Sequence, residues 1–174
     1  MKNAYRHVMV PVALAGLLSA CATAPVPPRT PAALNPPAGQ SLVVEALAQG
    51  VQIYQCDQKP NGSYEWVFKA PEATLASRDK HVLGKHYAGP TWEAVDGSTV
   101  VGQVAAKDAG PDATAIPWLL LTAKSNTGNG MFSRIKSVQR LYTTGGLAPT
   151  DACNAANLKA IGRTPYTATY YFYQ

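Results

Sequence analysis

The sequence of 174 residues predicts one all-β domain, mostly antiparallel, folded as a single-domain β-sandwich or partly closed β-barrel with one or two short helices. Two observations predict this class. Short segments with apolar side chains at every second position, the pattern of half-buried strands, recur through residues 41–174. Turn sequences rich in Gly, Pro, Asn and Asp separate these segments, and sequence with helical periodicity is scarce.

The first half of this region predicts two hairpins. Residues 51–56 and 64–69 form strands on either side of a Pro-Asn-Gly turn, and aromatic side chains recur at every second position of the second strand. Residues 91–95 and 98–104 flank Asp96-Gly97, a dipeptide suited to a two-residue hairpin turn.

The second half predicts a buried strand and a final aromatic strand. The unbroken apolar run at 116–123 indicates a central buried strand, despite Pro117 near its start. Residues 166–173 place aromatic side chains on alternate positions, which indicates an internal strand that pairs on both sides. The two short helices are predicted at 70–76 and 131–137.

Residues 1–20 have the features of a secretory signal peptide. Lys2 and Arg6 precede an apolar run of 11 residues, shorter than the ~20 needed to span hydrocarbon. The sequence Leu-Ser-Ala-Cys that ends at Cys21 resembles the bacterial lipobox, which implies cleavage before Cys21 and its lipidation. The alternative is an ordinary signal peptide with a cysteine near its end. Because Ala22 rather than Asp follows, the resemblance implies an anchor in the outer membrane, facing the periplasm.

The predicted domain order is a lipoprotein signal peptide at 1–20, a lipidated cysteine with a tether at 21–40, and the β domain at 41–174. Six prolines lie between residues 22 and 40, and such composition favours extended polyproline geometry over a packed core. The membrane is thus a predicted partner, because two or more acyl chains hold a protein stably on a bilayer.

Charge and cysteine content limit the remaining partners. The formal charge is +5 for the precursor and +3 without Lys2 and Arg6, which does not call for nucleic acid. Residues 113–150 contain basic but no acidic side chains, which fits either a basic surface for anionic groups or scattered solvated charges. After lipidation Cys56 and Cys153 remain, and an exported pair predicts one disulfide; the alternative, a catalytic thiol, is disfavoured in an oxidising compartment.

The densest group of chemistry-bearing side chains lies between residues 86 and 96. In the ligand-binding interpretation, Tyr87 and Trp92 present aromatic surface to a ligand. His86 and Glu93 orient that ligand, and Arg140 faces an anionic group on it. In the structural alternative Trp92 belongs to the core and His86 is a buried ring. Asp96 is a further candidate, with a structural role at the start of the hairpin turn.

Motifs for catalysis are weak. The mature chain has only His81 and His86, without zinc-type spacing, so no metal or cofactor is predicted. No G-x-S-x-G nucleophile elbow occurs. The enzymatic alternative is a periplasmic hydrolase or metal-dependent enzyme using His86, Glu93 and Asp96, in which the two carboxylates are paired by proximity alone.

Several segments resemble an uncharacterised domain family found in exported bacterial proteins and secreted fungal proteins. The segments are G-V-Q-I-Y-Q-C (50–56), G-K-H-Y-A-G-P-T-W-E (84–93), D-G-S (96–98), I-P-W-L-L-L (116–121), V-Q-R-L-Y-T-T-G-G (138–146) and A-T-Y-Y-F-Y (168–173). The resemblance covers residues 48–174 in order. The resemblance implies that the protein is located outside the cytoplasm. It implies no enzymatic activity, because none is established for the family.

Taken together, these patterns predict a lipid-anchored cell-envelope β domain that binds a small-molecule, glycan or protein ligand and is not an enzyme. A third hypothesis, a purely structural lipoprotein, predicts no concave polar site.

Overall fold

The computed structural model describes residues 25–174, so the signal peptide and Cys21 lie outside the described residues. Eight strands and two 3-10 turns make up its secondary structure. The strands are β1 Leu42–Gln58, β2 Tyr64–Ala76, β3 Val82–Tyr87, β4 Thr91–Ala94, β5 Thr99–Asp108, β6 Trp118–Thr127, β7 Ser137–Gly145 and β8 Ile161–Tyr173. The turns are η1 Ala32–Leu34 and η2 Ala155–Asn157.

The strands form one closed antiparallel barrel. Each strand pairs with the next along the chain, and β1 pairs with β8 to complete the ring. The last strand, β8, therefore lies between β7 and β1, as predicted for an internal aromatic strand. The predicted all-β, mostly antiparallel class is confirmed.

Three local predictions were wrong. Residues 70–76 are not a helix but the second half of β2, where Pro71, Ala73 and Leu75 alternate inward because pairing with β1 outweighs local propensity. Residues 131–134 form turns rather than a helix. The β4–β5 loop comprises the four residues 95–98 rather than two: Gly97 N–H donates to Ala94 O, and Gly97 occupies the left-handed position with φ of 81°.

The main core lies inside the barrel. Its largest fully buried side chains include Trp92, Tyr170 and Phe172, together with Phe132 from the turn before β7. The rings of Phe132 and Phe172 stack with centroids 4.4 Å apart, so this turn closes one end of the barrel. Burial of such aromatic area contributes about 25 cal/mol per Å².

A second apolar cluster lies outside the barrel and is covered by the N-terminal segment. Leu34 of η1 is completely buried against Leu141, Tyr171 and Tyr173 on the outer sheet surface. The Gln139 amide donates to Leu34 O at 2.6 Å and accepts from the Tyr173 hydroxyl at 2.6 Å. The segment predicted as an extended tether thus contains a turn that packs on the barrel.

The predicted disulfide between Cys56 and Cys153 is present. The two Cα atoms are 5.4 Å apart, and the bond closes a sequence separation of 97 residues. It ties the long β7–β8 connection to β1, where Lys159 N–H also donates to Cys56 O at 2.8 Å.

Candidate functional site

A notch in the barrel wall opens the interior to solvent. The short β3–β4 hairpin pairs with β2 only over residues 73–76 and with β5 only over residues 99–101. The other halves of β2 and β5 run past the tip of this hairpin. Phe68 of β2 and Val104 of β5 flank the gap, with 49% and 52% of their surfaces exposed.

Behind the notch lies a cavity of about 390 Å³. Its lining is mostly apolar, with a small number of polar groups, which is the usual composition of small-molecule sites. The lining residues are Gln52, Phe68, Lys69, Pro71, His86, Gly89, Pro90, Trp92, Val104, Leu119, Leu121, Arg140 and Tyr170. The structure therefore brings His86, Trp92 and Arg140 into one cavity; their role in binding stays a prediction.

His86 and Trp92 form a stacked pair on the inner surface. They are opposite one another across the β3–β4 pairing, and their ring centroids are 4.5 Å apart at an interplanar angle of 10°. Tyr170 meets both rings edge-on, at 5.1 Å from His86 and 5.4 Å from Trp92. His86 Nδ1 is 2.8 Å from Thr91 O, which fixes the orientation of the imidazole.

Burial determines the charge of His86. It lowers the pKa of the ring to about 3, against the raising effect of the hydrogen bond with Thr91 O, and nearby Arg140 lowers the pKa further. The imidazole is therefore neutral at physiological pH. It offers the cavity a flat aromatic surface and no positive charge.

Gly102 makes room for the indole of Trp92. A Cβ at this position would lie 2.8 Å from Trp92 Cζ3 and 3.1 Å from Leu121 Cδ2, both inside van der Waals contact. The absence of a side chain on Gly102 thus leaves space for the Trp92 indole beside β5. A substitution here forces the indole to move.

Arg140 projects from β7 into the same space. Its Nε and Nη2 both donate to Pro117 O, at 3.1 and 2.8 Å. No acidic side chain lines the cavity, and within residues 25–174 Arg140 forms no salt bridge. The guanidinium therefore has a carbonyl dipole beside it but no carboxylate.

The tyrosines around Arg140 do not supply the missing negative charge. Burial raises the pKa of Tyr54, Tyr166 and Tyr170, and Arg140 lowers each only in part. All three hydroxyls remain neutral; that of Tyr54 donates to Gly146 O at 2.6 Å. The polar groups next to Arg140 are therefore uncharged.

Two further cavity residues have unused donors. The Gln52 amide nitrogen and the Trp92 indole nitrogen are buried without a hydrogen-bond partner in the described part of the chain. A buried donor without a partner costs about 1–3 kcal/mol. The polar side of this cavity is thus rich in donors.

Tyr87 and Glu93 lie outside the cavity. Alternation along β3 and β4 puts them on the outer surface, where the Tyr87 hydroxyl donates to Glu93 Oε2 at 2.8 Å and Lys85 Nζ is 3.2 Å from Glu93 Oε1. These contacts lower the pKa of the Glu93 carboxyl, the Tyr87 hydrogen bond most of all. Neither side chain lines the barrel cavity that holds His86.

Asp96 has a structural position in the β4–β5 loop. Its carboxylate accepts from the Ser98 backbone N–H at 2.8 Å and from Met131 N–H at 2.8 Å, which joins the loop to the turn before β7. His86, Glu93 and Asp96, the residues of the enzymatic alternative, are therefore not brought together. Among residues 25–174, no three His, Cys, Asp or Glu side chains gather as a metal site.

Sequence reasoning missed much of the cavity wall. Phe68, Val104 and Leu119 belong to separate strands that only the barrel closure brings together. Gln52 could have been recognised as a cavity residue, because the two-residue period of the strand places it on the same face as the buried Ala48 and Tyr54. A polar residue on an otherwise apolar inner face indicates a lined cavity.

Comparison with known proteins places the chain in a family. A family model described as "Protein of unknown function (DUF3455)" matches residues 37–174. The chain belongs to this family. The DUF3455 match includes all eight strands and confirms the expectation of an uncharacterised domain family. No curated protein and no solved structure matches the chain. No helix within the described residues is long and apolar enough to cross a membrane.

Proposed function

We propose that this chain is a lipid-anchored cell-envelope protein whose DUF3455 domain binds a small molecule in the barrel cavity, without catalysis. The supporting observation is the cavity of about 390 Å³ that joins His86, Trp92 and Arg140 behind an open notch. Ligand sites are usually concave, largely apolar and preformed, with volumes of roughly 300–1,000 Å³. Each strand of the ring pairs with a neighbour on both sides. The hydrogen-bonded wall therefore holds its position around the cavity, which makes the cavity preformed.

The lining groups are suited to binding rather than bond cleavage. A stacked imidazole–indole pair supplies aromatic surface, and a guanidinium supplies a positive charge. The lining residues include no Ser, Thr, Cys, Asp or Glu side chain. The volume also favours a small molecule over a glycan chain or a protein as occupant.

A neutral fluorescent probe tests cavity binding. The Cys21→Ser variant is expressed with the signal peptide of a non-lipoprotein, which yields the mature protein without lipid. This protein is titrated with N-phenyl-1-naphthylamine. We expect saturable fluorescence with one probe per chain. Val104→Trp fills the notch and should weaken binding roughly tenfold or more, the effect of losing about 1.4 kcal/mol.

Ile161→Trp is the matched control, because Ile161 is 56% exposed and lies away from the cavity. It should bind the probe like the unsubstituted protein. Equal binding by both Trp variants, or no saturable binding at all, would contradict the proposal. Native mass spectrometry of the same protein then reports any ligand retained from the cell.

The anchor is tested separately at Cys21. Lipid on this cysteine supports the envelope location because dual acylation gives stable membrane attachment. Cys21→Ser in the otherwise unchanged precursor should abolish palmitate labelling and cleavage of the signal peptide by the lipoprotein peptidase. Undiminished labelling of this variant rules the anchor out.

A further inference from the structure

The charges around the cavity do not balance. Among the residues that the structure describes, two cationic side chains line it, Lys69 and Arg140, and no anionic one does. Lys69 is paired with Asp57, with Nζ and Oδ2 2.5 Å apart. Within residues 25–174, Arg140 donates to Pro117 O, lies near neutral tyrosines and pairs with no carboxylate. A partly buried guanidinium without an anion is costly, and a bound anion of suitable geometry removes that cost.

Apart from Gln52, Lys69, His86 and Arg140, the residues that line the cavity are apolar or aromatic. Leu119 is the pairing neighbour of Arg140 and Leu121 that of Val104, so β6 presents an apolar wall between Arg140 and the notch. Phe68 and Val104 are the exposed residues that flank the opening. An occupant that reaches from Arg140 to the notch therefore needs a charged end and an apolar body.

We infer that the cavity binds an apolar monocarboxylic acid, with its carboxylate on Arg140 and its hydrocarbon body passing between Phe68 and Val104. This inference rests on the proposed binding function and names its ligand class. The planar fork of the guanidinium matches the two oxygens of a carboxylate. Gln52 and Tyr170 line the same cavity as Arg140.

Displacement of the neutral probe by chain-matched competitors tests the inference. Decanoate, 1-decanol and decyltrimethylammonium have similar apolar chains and differ in the charge of the head group. In the unlipidated mature protein we expect decanoate to displace N-phenyl-1-naphthylamine at a concentration roughly tenfold lower than 1-decanol, because hydrogen bonds to charged groups are the stronger ones. Decyltrimethylammonium should be the weakest competitor. This comparison needs no substitution and so does not depend on the folding of a variant.

Arg140→Gln should abolish the preference for decanoate over 1-decanol, with each competitor measured against the probe affinity of that same variant. Arg163→Gln is the matched control, since Arg163 lies on the outer surface, where it pairs with Glu72 at 2.7 Å, and its loss changes the net charge equally. Equal displacement by decanoate and 1-decanol in the unsubstituted protein overturns the inference, as does a preference that survives in Arg140→Gln. In both cases saturable probe binding still stands, so failure of the ligand class is distinguished from failure of the binding function.

Discussion

At the residue scale, the inward position of His86 on β3 determines the charge of its imidazole. Its imidazole is 3% exposed, stacked on Trp92 and in edge contact with Tyr170. Burial favours the uncharged ring, and the cation on Arg140 acts in the same direction. A ring that remains neutral makes a poor acid at neutral pH but a good stacking surface, which agrees with a binding role.

The buried neutral state predicts a pH-dependent stability. The pKa of His86 is about 3 in the folded protein and ~6.5 in an unfolded chain. As pH falls through 6.5, the unfolded state takes up the proton first, so this contribution to stability is present above pH 6.5 and is lost toward pH 3. The expected slope is at most about 1.4 kcal/mol per pH unit.

Chemical denaturation at pH 7 and pH 5 measures this effect. His86→Phe keeps a flat ring against Trp92 and should lose stability less steeply on acidification than the unsubstituted protein. His81→Phe, at an exposed position, is the control and should keep the original slope. The same acid slope in all three proteins would show that His86 is not the group responsible.

At the element scale, the β3–β4 hairpin separates residues that are neighbours in sequence. His86 and Trp92 face inward, whereas Tyr87 and Glu93 face outward. Alternation in the sequence places Trp92 and Glu93 on opposite faces of β4, but only the register of the hairpin shows that His86 shares its face with Trp92 and not with Glu93. The β2 strand was harder, because Ala70, Pro71 and Ala73 carry little strand propensity and only pairing with β1 makes them extended.

The β7–β8 connection depends on a covalent link rather than on strand pairing. Cys153 lies within it and bonds to Cys56 of β1. Replacing both cysteines with Ala should lower the free energy of unfolding by up to about 4–5 kcal/mol, the chain-entropy estimate for so long a loop. Denaturant unfolding under non-reducing conditions measures the loss. Reductant should lower the free energy of unfolding of the unsubstituted protein to that of the double variant and leave the double variant unchanged. A double variant as stable as the unsubstituted protein would contradict the predicted contribution of the disulfide.

At the scale of the whole molecule, closure of the sheet creates the site. Residues of all eight strands meet at the cavity only because the ring closes between β1 and β8. Local patterns predicted the strand class and the aromatic final strand, because period two is a local property. The notch could not be predicted, since it arises from the difference in length between β3–β4 and their neighbours after pairing.

The fold depends on the last strand, β8. β8 pairs with β1 and β7, Tyr170 and Phe172 lie in the inner core, and Tyr171 and Tyr173 lie in the outer cluster. Deleting residues 167–174 opens the ring and removes both sets of aromatic contacts, so the protein should unfold completely rather than lose one edge. Circular dichroism with thermal unfolding measures this, and deletion of Gln174 alone, an exposed residue after β8, should leave the transition nearly unchanged. A cooperative transition that survives the eight-residue deletion would mean that β1 to β7 form a stable open sheet, and the cavity would then not require closure.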